Sequence, residues 1–379
     1  MNRKQFLILV IALVVLGGAG FALFWQDIAA YRASGAKIGA KLLPEFRIAD
    51  VTQMRLRNAK TQTTLARKET GWVVEERGGY AADFQAIGDF MVKLLELKVT
   101  QSENVGASLL PRVELVAPGH GEGVGTLVEF KDKAGKVLAS LILGKKILKK
   151  DPVNPLPAAQ DGVPAGRYIL VTGAKDTVVI VSDPLNAADA APGKWLAKDF
   201  FKADRIKTLA AGPEGAASQW KIARDLEWGQ WKFAGGGSDL DASAAVGAVN
   251  ALGGMTFTDV AAGAKPEDTE RPVVAVAETF DNLTYTVKIA RKKSGDAYAV
   301  NFTVTGEPPK SRVPEKDEKP EDKPRRDKEF AASLKKLEER IASEIALARW
   351  TYVVNKAAIE PLLKNRDAMV RKVEKKKKS

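Results

Sequence analysis

The sequence has no cysteine and a single histidine among 379 residues. Without cysteine there are no disulfides and no thiolate metal sites, so the folded part of the chain depends on packing alone. His120 lies in the stretch APGHGEGVG, and one histidine does not build an H-E-x-x-H zinc site. A serine hydrolase would need His120 as its general base, but the G-x-S-x-G motif is absent. These absences favour a simple loop position for His120.

Nucleotide-binding motifs are missing as well. A dinucleotide pattern that begins at Gly119 and Gly121 would need a glycine at position 124, which is Val124. The Gly-Lys pairs at positions 135, 144 and 193 lack the serine or threonine that completes a P-loop. The sequence therefore predicts no catalytic residue, no metal and no cofactor. An enzyme of an unrecognised type stays open as an alternative.

The chain carries a formal net charge of +12, but much of this excess lies at its ends. Arg3 and Lys4 stand at the start, and the tail 371–379 has six basic residues against one glutamate. The long middle of the chain is only weakly basic, which is not the pattern of a nucleic-acid-binding protein. We predict no nucleic-acid partner and a solvated tail, with contact to anionic lipid as the alternative for the tail.

One long uncharged run, residues 6–25, follows two basic residues. As a helix that rises about 1.5 Å per residue, it matches the bilayer core of about 30 Å. The alternative is a signal peptide cleaved near the small residues 18–20. Because the run stays apolar through Trp25, it favours a retained transmembrane helix with the bulk of the chain exported. Gly18 and Ala22 form a small-xxx-small pair: either such residues are merely tolerated in a membrane helix, or they let another membrane helix pack closely.

A duplication runs through the rest of the chain. At offsets of 157–159 the matches are Arg47-Ile48 with Arg205-Ile206, Ala66-Arg67 with Ala223-Arg224, Trp72 with Trp231, Asp83 with Asp241, Leu94 with Leu252 and Val99 with Phe257. At an offset of 146, Val128 matches Val274 and Leu143 matches Ile289. Offsets this steady predict two copies of one structural unit.

Each copy predicts the same order of elements. Alternating apolar residues indicate strands, and Asp83 or Asp241 is a suitable helix N-cap. The order β-β-α-β-β-β indicates an antiparallel sheet with a helix packed on one face. The predicted fold class is therefore α+β, with an N-terminal transmembrane helix followed by two tandem repeats. Trp72 and Trp231 are interpreted as core anchors of the two copies.

The composition predicts the domain boundaries. These are a cytoplasmic n-region 1–5, a transmembrane helix 6–25, a juxtamembrane linker 26–45, module one 46–183, a linker 184–203, module two 204–365 and a basic tail 366–379. Module two contains a charged insertion, 306–328, that is expected to be disordered or extended, and a helix, 329–348. The helix has an apolar seam that packs on module two or on a partner, formed by Phe330, Leu334, Leu337, Ile341 and Ile345.

A resemblance to a known family is carried by four stretches of the chain. They are MNRKQFLILVIALVVLGGAGFAL, LARKETGWVVEERGGYAADFQAIGDFMVKLLELKV, TLVEFKDKAGKVLASLILGKK and GRYILVTGAKDTVVIVSD. These resemble bacterial proteins of domain-of-unknown-function family 4340, most clearly over residues 1–183, with a departure at the insertion 306–328. The resemblance implies an envelope protein anchored at its N-terminus, of a kind often encoded beside ABC-transport components like those of gliding-motility systems. It supplies no catalytic residues.

The leading hypothesis is a non-enzymatic, single-pass protein of the bacterial inner membrane with its bulk in the periplasm. Its expected partners are the inner membrane, an ABC-type permease and an extracytoplasmic partner subunit. The alternative is a module that binds envelope glycans. Trp228, which precedes a turn glycine, is the candidate contact with a glycan or a partner.

Overall fold

The computed structural model describes residues 38–103, 105–149, 162–172, 177–237, 239–261, 270–293, 296–314 and 318–371. The expected transmembrane segment 6–25, with Gly18 and Ala22, lies outside the described residues, as does most of the basic tail. Within the described ranges, no helix is both long enough and apolar enough to cross a membrane.

The fold is α+β, with two antiparallel sheets and few helices. The chain divides into two compact units, Met1–Ala197 (unit 1) and Lys198–Ser379 (unit 2). The division falls inside segment 184–203, which the sequence indicates as a linker. Side chains from this segment are buried on both sides of the division: Trp195 in unit 1 and Phe201 in unit 2 are each 2% exposed.

In the described part of unit 1 there are one sheet of nine strands and one helix. The strands are β1 (Gln53–Arg57), β2 (Gln62–Lys68), β3 (Gly71–Val74), β4 (Tyr80–Ala81), β5 (Val99–Glu103), β6 (Thr126–Lys131), β7 (Val137–Lys149), β8 (Val163–Val171) and β9 (Thr177–Val181), and the helix is α1 (Phe84–Glu96). Their order across the sheet is β4-β3-β2-β1-β6-β7-β8-β9-β5. Short 3₁₀ turns occupy Ile48–Asp50, Glu75–Arg77, Ala107–Val113 and Pro192–Lys194.

Helix α1 begins at a side-chain cap and buries one face. The Asp83 carboxylate accepts a hydrogen bond of 2.9 Å from the Ala86 N–H, which satisfies one of the free donors at the helix start. The buried face consists of Ile87, Phe90, Met91 and Leu94. The Phe90 ring meets Trp195 edge-on, with centroids 5.8 Å apart. The helical periodicity thus gives α1 its core-facing stripe.

The sheet of unit 1 is covered on its other face as well. Ile142, Leu170 and Val178 lie side by side on β7, β8 and β9 and are buried together with Leu115. Leu115 belongs to the connection between β5 and β6, which closes tightly on the sheet. A Cβ at Gly144 would lie 2.3 Å from the Val113 carbonyl oxygen, so only glycine fits there.

Unit 2 contains one sheet of eight described strands. The strands are β10 (Ile206–Pro213), β11 (Trp220–Ala223), β12 (Lys232–Phe233), β13 (Asp259–Val260), β14 (Val273–Thr279), β15 (Leu283–Arg291), β16 (Ala297–Gly306) and β17 (Tyr352–Asn355). The helices are α2 (Ala242–Gly253), α3 (Lys323–Leu347) and α4 (Lys356–Ile359), with 3₁₀ turns at Glu360–Leu363 and Asp367–Met369. The strand order is β12-β11-β10-β14-β15-β16-β17-β13.

This order repeats that of unit 1, without a counterpart of β4 among the described strands. The N-cap is repeated too, because the Asp241 carboxylate accepts a hydrogen bond of 2.8 Å from the Ala244 N–H. The strand register corrects two of the sequence alignments. Met54 faces Leu65 across β1 and β2 as Leu209 faces Ile222 across β10 and β11, so Met54 matches Leu209.

The alignment of Arg47-Ile48 with Arg205-Ile206 is therefore three residues out of step. Ile206 begins a strand, whereas Ile48 lies in a 3₁₀ turn. The match of Val128 with Val274 is wrong by one residue, since the register places Val128 on the buried Ala275. A shift of one residue exchanges the two faces of a strand, so these corrections matter for identifying the core.

The interpretation of Trp72 and Trp231 as core anchors is wrong. Both side chains are only partly buried, because they lie at strand ends beyond the buried Val74 and Phe233. The Trp72 position faces Arg67 across the sheet. The fully buried tryptophans are instead Trp195 and Trp220.

The described residues of the insertion, 306–314 and 318–328, have more regular structure and ion pairing than its composition indicates. The insertion connects β16 to β17, which are neighbours in the sheet. Helix α3 begins at Lys323, six residues earlier than expected, with Pro324 in its first turn. Pairs at i,i+4 spacing support this charged start, since Lys323 binds Asp327 at 2.7 Å and Arg325 binds Glu329 at 2.9 Å.

Candidate interaction site

Three connections of unit 2 meet at one end of its sheet. They are the loop between β11 and β12, the turn between β14 and β15, and the segment that leads from β16 into α3. The antiparallel pairing of β11, β10, β14, β15 and β16 brings these connections together. The most exposed tryptophan of the described residues and a groove lined by both apolar and charged side chains lie here.

The groove lies between α3 and the segment that precedes it. Its volume is about 710 Å³. The apolar part of its lining, called here the insertion groove, is Phe280, Pro308, Pro309, Val313, Phe330, Leu334 and Leu337. Three residues of the expected α3 seam thus face this groove, and they are half-buried rather than fully enclosed. Unit 2 therefore presents an apolar surface that its own core does not use.

Helix α3 is anchored at its C-terminal end by a buried carboxylate. Glu344 is 2% exposed, and its Oε1 and Oε2 accept hydrogen bonds from the Lys202 N–H at 3.0 Å and the Tyr285 hydroxyl at 2.9 Å. Burial raises the pKa of Glu344, and burial together with the Glu344 charge raises the pKa of Tyr285. The expected seam residue Ile345 is 54% exposed instead. Hydrogen bonding at Glu344 therefore sets the rotation of this end of α3.

Ion pairs fix both walls of the insertion groove. Arg340 of α3 donates from Nη1 to the Asp204 carboxylate at 2.8 Å. On the opposite wall, Arg312 binds Asp327 at 2.8 Å and forms a two-point contact with Glu318. The side chains of Arg312 and Glu318 are 15% and 5% exposed, so this pair is well shielded from water. These contacts tie the segment before α3 to the helix itself.

A projecting loop, residues 224–231, lies beside the groove and is called here the Trp228 hairpin. At its tip Trp228 is 92% exposed and Leu226 is 72% exposed. Arg224 holds the base of the loop against the sheet, because its Nε–H donates a hydrogen bond of 2.8 Å to the Ile206 carbonyl. Its guanidinium also lies 4.8 Å from the centre of the Trp231 ring. Two large apolar side chains are thus held in solvent on a braced loop.

Arg205 connects the Trp228 hairpin to the groove. Its Nη2 binds the Glu227 carboxylate at 2.9 Å, and its Nη1 binds Asp281, beside Phe280 of the groove. The hydrogen bond to Glu227, ahead of the other contacts, raises the pKa of Arg205. Arg205 has a φ of +52°, a left-handed conformation that is uncommon for a non-glycine residue. The hairpin and the groove therefore form one continuous surface.

Unit 1 lacks this arrangement at the equivalent positions. The stretch between Arg67 and Trp72 is residues 68–71, whereas the stretch between Arg224 and Trp231 is residues 225–230. The two additional residues belong to the loop that carries Leu226 and Trp228. A groove of about 630 Å³ does occur in unit 1, between α1 and residues 186–195. Its lining includes Asp89, Lys93, Asp189 and Lys194 along with Phe90 and Trp195, so it mixes charged and apolar side chains as the groove of unit 2 does.

The sequence identifies only part of this site. Trp228 is at its centre, while Gly18 and Ala22 lie outside the described residues. His120 is exposed, and within the described ranges no group of three or more metal-ligating side chains is found. Sequence reasoning missed Arg205, Arg312 and Glu344, because their partners lie far away in the chain and no local pattern marks them.

Comparison with family models, curated proteins and solved structures finds no match to this chain. Its function is therefore inferred from the geometry of unit 2 and from the organisation of the sequence.

Proposed function

We propose that this chain is a non-enzymatic envelope protein that acts as an interaction subunit of a membrane complex, with unit 2 making the contact. The exposed Trp228 side chain carries this proposal. Large apolar groups held in solvent on a braced loop beside an apolar groove are typical of protein contact sites, where tryptophan and arginine dominate the binding energy. The ion pairs of Arg205 and the hydrogen bonds of Arg224 to backbone carbonyls hold the surface in place before a partner binds, which lowers the entropy cost of association.

The sequence supports a membrane setting for this contact. Residues 6–25 would form the retained transmembrane helix, with the two units in the periplasm and Gly18 and Ala22 facing another membrane helix. The resemblance to family 4340 suggests an ABC-type permease and its extracytoplasmic subunit as the partners. Mass spectrometry of the N-terminus tests the anchor: the proposal expects an intact start in the membrane fraction, and a soluble form that begins near Phe21 would contradict it.

Capture of partners from detergent-solubilised membranes tests the function. The tagged full-length chain is expected to recover a permease. The matched control is Phe84→Ala, which removes an exposed aromatic side chain of unit 1 (71% exposed) and should leave the recovery unchanged. Recovery of the chain alone, under conditions that preserve other membrane complexes, would reject the proposal.

Binding of envelope glycans is a second candidate function. It is favoured by the exposed Asp225 and Gln230 on either side of Trp228, since sugars stack on aromatic rings and bond to carboxylate and amide groups. Trp228→Ala should then abolish retention on purified cell-wall glycan, while Leu226→Ala, which keeps the ring, should not. Equal retention of both variants would remove this candidate.

A further inference from the structure

A two-stranded arm extends from the sheet of unit 1. Strand β7 pairs with β6 only as far as Leu143, and β8 pairs with β9 only from Arg167 onward. The parts of β7 and β8 beyond these points, residues 144–149 and 163–166, pair with no other described strand and form the basic arm. In unit 2, β15 ends at Arg291, two residues past the position that matches Leu143. The arm is therefore an addition to the shared architecture.

The basic arm carries unbalanced positive charge. Lys145, Lys146 and Lys149 are all exposed, and the ion pairs in the described part of unit 1 lie elsewhere. Over the whole hairpin, residues 144–167, the sequence has five basic residues against two aspartates. This end of unit 1 therefore attracts an anionic partner.

The groups at the base of the arm do not cancel this charge. Arg167 is buried and donates from Nε to the Gly144 carbonyl at 2.8 Å, so it fixes the base of the arm rather than facing solvent. Glu114 interacts electrostatically with this arginine, and the Asp183 carboxylate accepts a hydrogen bond of 2.6 Å from the Leu185 N–H. These two carboxylates are thus directed at groups other than the arm lysines.

Apolar side chains accompany the lysines. Leu148 on β7 is 51% exposed and Val163 on β8 is 53% exposed. Lysines beside exposed apolar groups suit the boundary between lipid head groups and acyl chains, where phosphates attract the ammonium groups and the apolar groups leave water. Strand addition by an acidic protein segment is less suitable, because lysines and Pro164 lie on the arm and hinder pairing at its edges.

The described chain begins at the same level of the sheet. The Gly39 N–H donates to the Val99 carbonyl at 2.8 Å. One row across the sheet connects this point with the base of the arm: Val99 of β5, Val181 of β9, Arg167 of β8 and Lys146 of β7. The row covers about four strand spacings, or about 20 Å. Twelve residues, 26–37, separate Ile38 from the expected transmembrane segment, and they span at most about 45 Å. A bilayer that holds residues 6–25 would therefore lie within reach of the arm.

We propose that the basic arm of unit 1 binds the anionic lipid head groups of the membrane that anchors the chain. The three lysines contact the phosphates, and Leu148 and Val163 lie among the head groups. This inference rests on the proposed function, because it needs the retained transmembrane helix. It adds a second attachment, which holds unit 1 against the bilayer.

Fluorescence quenching by lipids tests the contact. Since the chain has no cysteine, Val163→Cys labels the arm with one fluorophore, and Ala134→Cys labels the exposed turn at the other end of β7. Each labelled full-length chain is placed in nanodiscs of phosphatidylcholine, with or without phosphatidylglycerol, that contain a lipid with a nitroxide on its head group. The nitroxide quenches fluorophores that touch the bilayer.

The expected result is specific to the arm and to anionic lipid. Each lysine near an anionic surface strengthens the attraction about fivefold. Quenching at position 163 should therefore be at least about twofold stronger with phosphatidylglycerol, and this difference should disappear at high salt. Position 134 should show no difference. Equal quenching of position 163 in the two kinds of nanodisc would overturn the inference, and it is the result expected if the arm binds an acidic protein instead.

Two pairs of charge reversals locate the contact. Lys145→Glu combined with Lys149→Glu should abolish the effect of phosphatidylglycerol at position 163. Lys133→Glu combined with Lys136→Glu, in the turn between β6 and β7, should preserve it. All four lysines are exposed, so both variants should fold. An effect that survives reversal of the arm lysines would also overturn the inference.

The same preparation separates this inference from the proposed function. If the chain enters the nanodiscs but position 163 is not quenched, the inference alone is lost and the anchor stands. If the chain remains outside the nanodiscs, the retained anchor is wrong, and the membrane setting of the proposed function is lost together with the inference.

Discussion

The two units share one strand order but differ on the outer face of the sheet. In unit 1 the row Ile142, Leu170 and Val178 is apolar and buried under the β5–β6 connection. In unit 2 the register places Lys288, Asn301 and Thr351 in the equivalent row, and Asn301 donates to the Thr351 hydroxyl at 2.8 Å. A polar row needs no cover, whereas an apolar row does. The sheet of unit 1 is therefore covered on both faces, whereas the sheet of unit 2 is covered on one.

The second difference lies in the connections. Unit 1 joins β8 to β9 through residues 172–176, while unit 2 joins β16 to β17 through residues 307–351. The longer connection supplies both walls of the insertion groove. The residues before α3 form one wall, and α3 itself forms the other. Since loops tolerate insertions better than strands do, a repeated unit acquires a contact site most readily at its connections. The comparison indicates that shared positions maintain the fold, and we propose that divergent ones mediate binding.

Substitutions in the core that the two units share should cause the largest loss of stability. Leu94 of α1 and Leu252 of α2 occupy equivalent positions, and both are completely buried. Leu94→Ala and Leu252→Ala should each lower the free energy of unfolding by about 2–5 kcal/mol, because each leaves a cavity. Chemical denaturation of the full-length chain measures both. A large loss for one variant and none for the other would break the equivalence of the two helices.

Substitutions at equivalent positions on the outer faces of the two sheets should have unequal effects on stability. Ile142 is 3% exposed, so Ile142→Ala should cost about 2–4 kcal/mol of stability. Lys288 lies in the equivalent position but is exposed, with a surface ion pair of 2.7 Å to Glu214. Lys288→Ala should change stability by less than about 1 kcal/mol. Similar losses for the two variants in thermal or chemical unfolding would show that the outer face of unit 2 is covered too.

Glu344 gives a pH-dependent effect in unit 2. Because burial raises the pKa of Glu344, the folded chain binds this proton more tightly than the unfolded chain does. The resulting stability is fully present below the unfolded pKa and is lost as the pH rises through the higher folded value. Glu344→Gln should remove this loss while keeping hydrogen bonds to Tyr285 and Lys202.

Glu344→Ala serves as the contrast. It leaves the Lys202 N–H buried without its acceptor and removes one of the two acceptors of the Tyr285 hydroxyl, at a cost of about 1–3 kcal/mol. Unfolding curves recorded from acid to neutral pH compare the three proteins. A wild-type chain and a glutamine variant with the same pH dependence would show that the protonation of Glu344 is not linked to folding.

The sequence predicts the repeated elements better than their environment. The caps Asp83 and Asp241 and the apolar stripe of α1 are local patterns, so they can be recognised directly. Trp72 lies near the end of a strand and is only partly buried, whereas Trp195 follows a 3₁₀ turn and is buried against Phe90 of α1. Likewise, the burial of Glu344 depends on Tyr285, which lies 59 residues away. Such choices are made by tertiary contacts that a local pattern does not contain.

The same limit applies to the candidate site. The glycine after Trp228 marks a turn, and this is enough to indicate an exposed tip. The groove beside it needs the contacts of Arg312 with Glu318 and Asp327, which lie inside a segment whose composition resembles disordered sequence. Ion pairing and an early helix start provide the order that apolar content does not.

Site-specific photo-crosslinking in intact membranes tests most directly whether unit 2 makes the contact. A photoreactive phenylalanine is placed at position 228 or, as the control, at position 84 of the full-length chain. Because Trp228 is almost fully exposed, its replacement should change the stability by no more than about 0.5 kcal/mol. The account predicts an adduct with another membrane protein from position 228 and none from position 84. An adduct from position 84 alone, or from neither position, would contradict it.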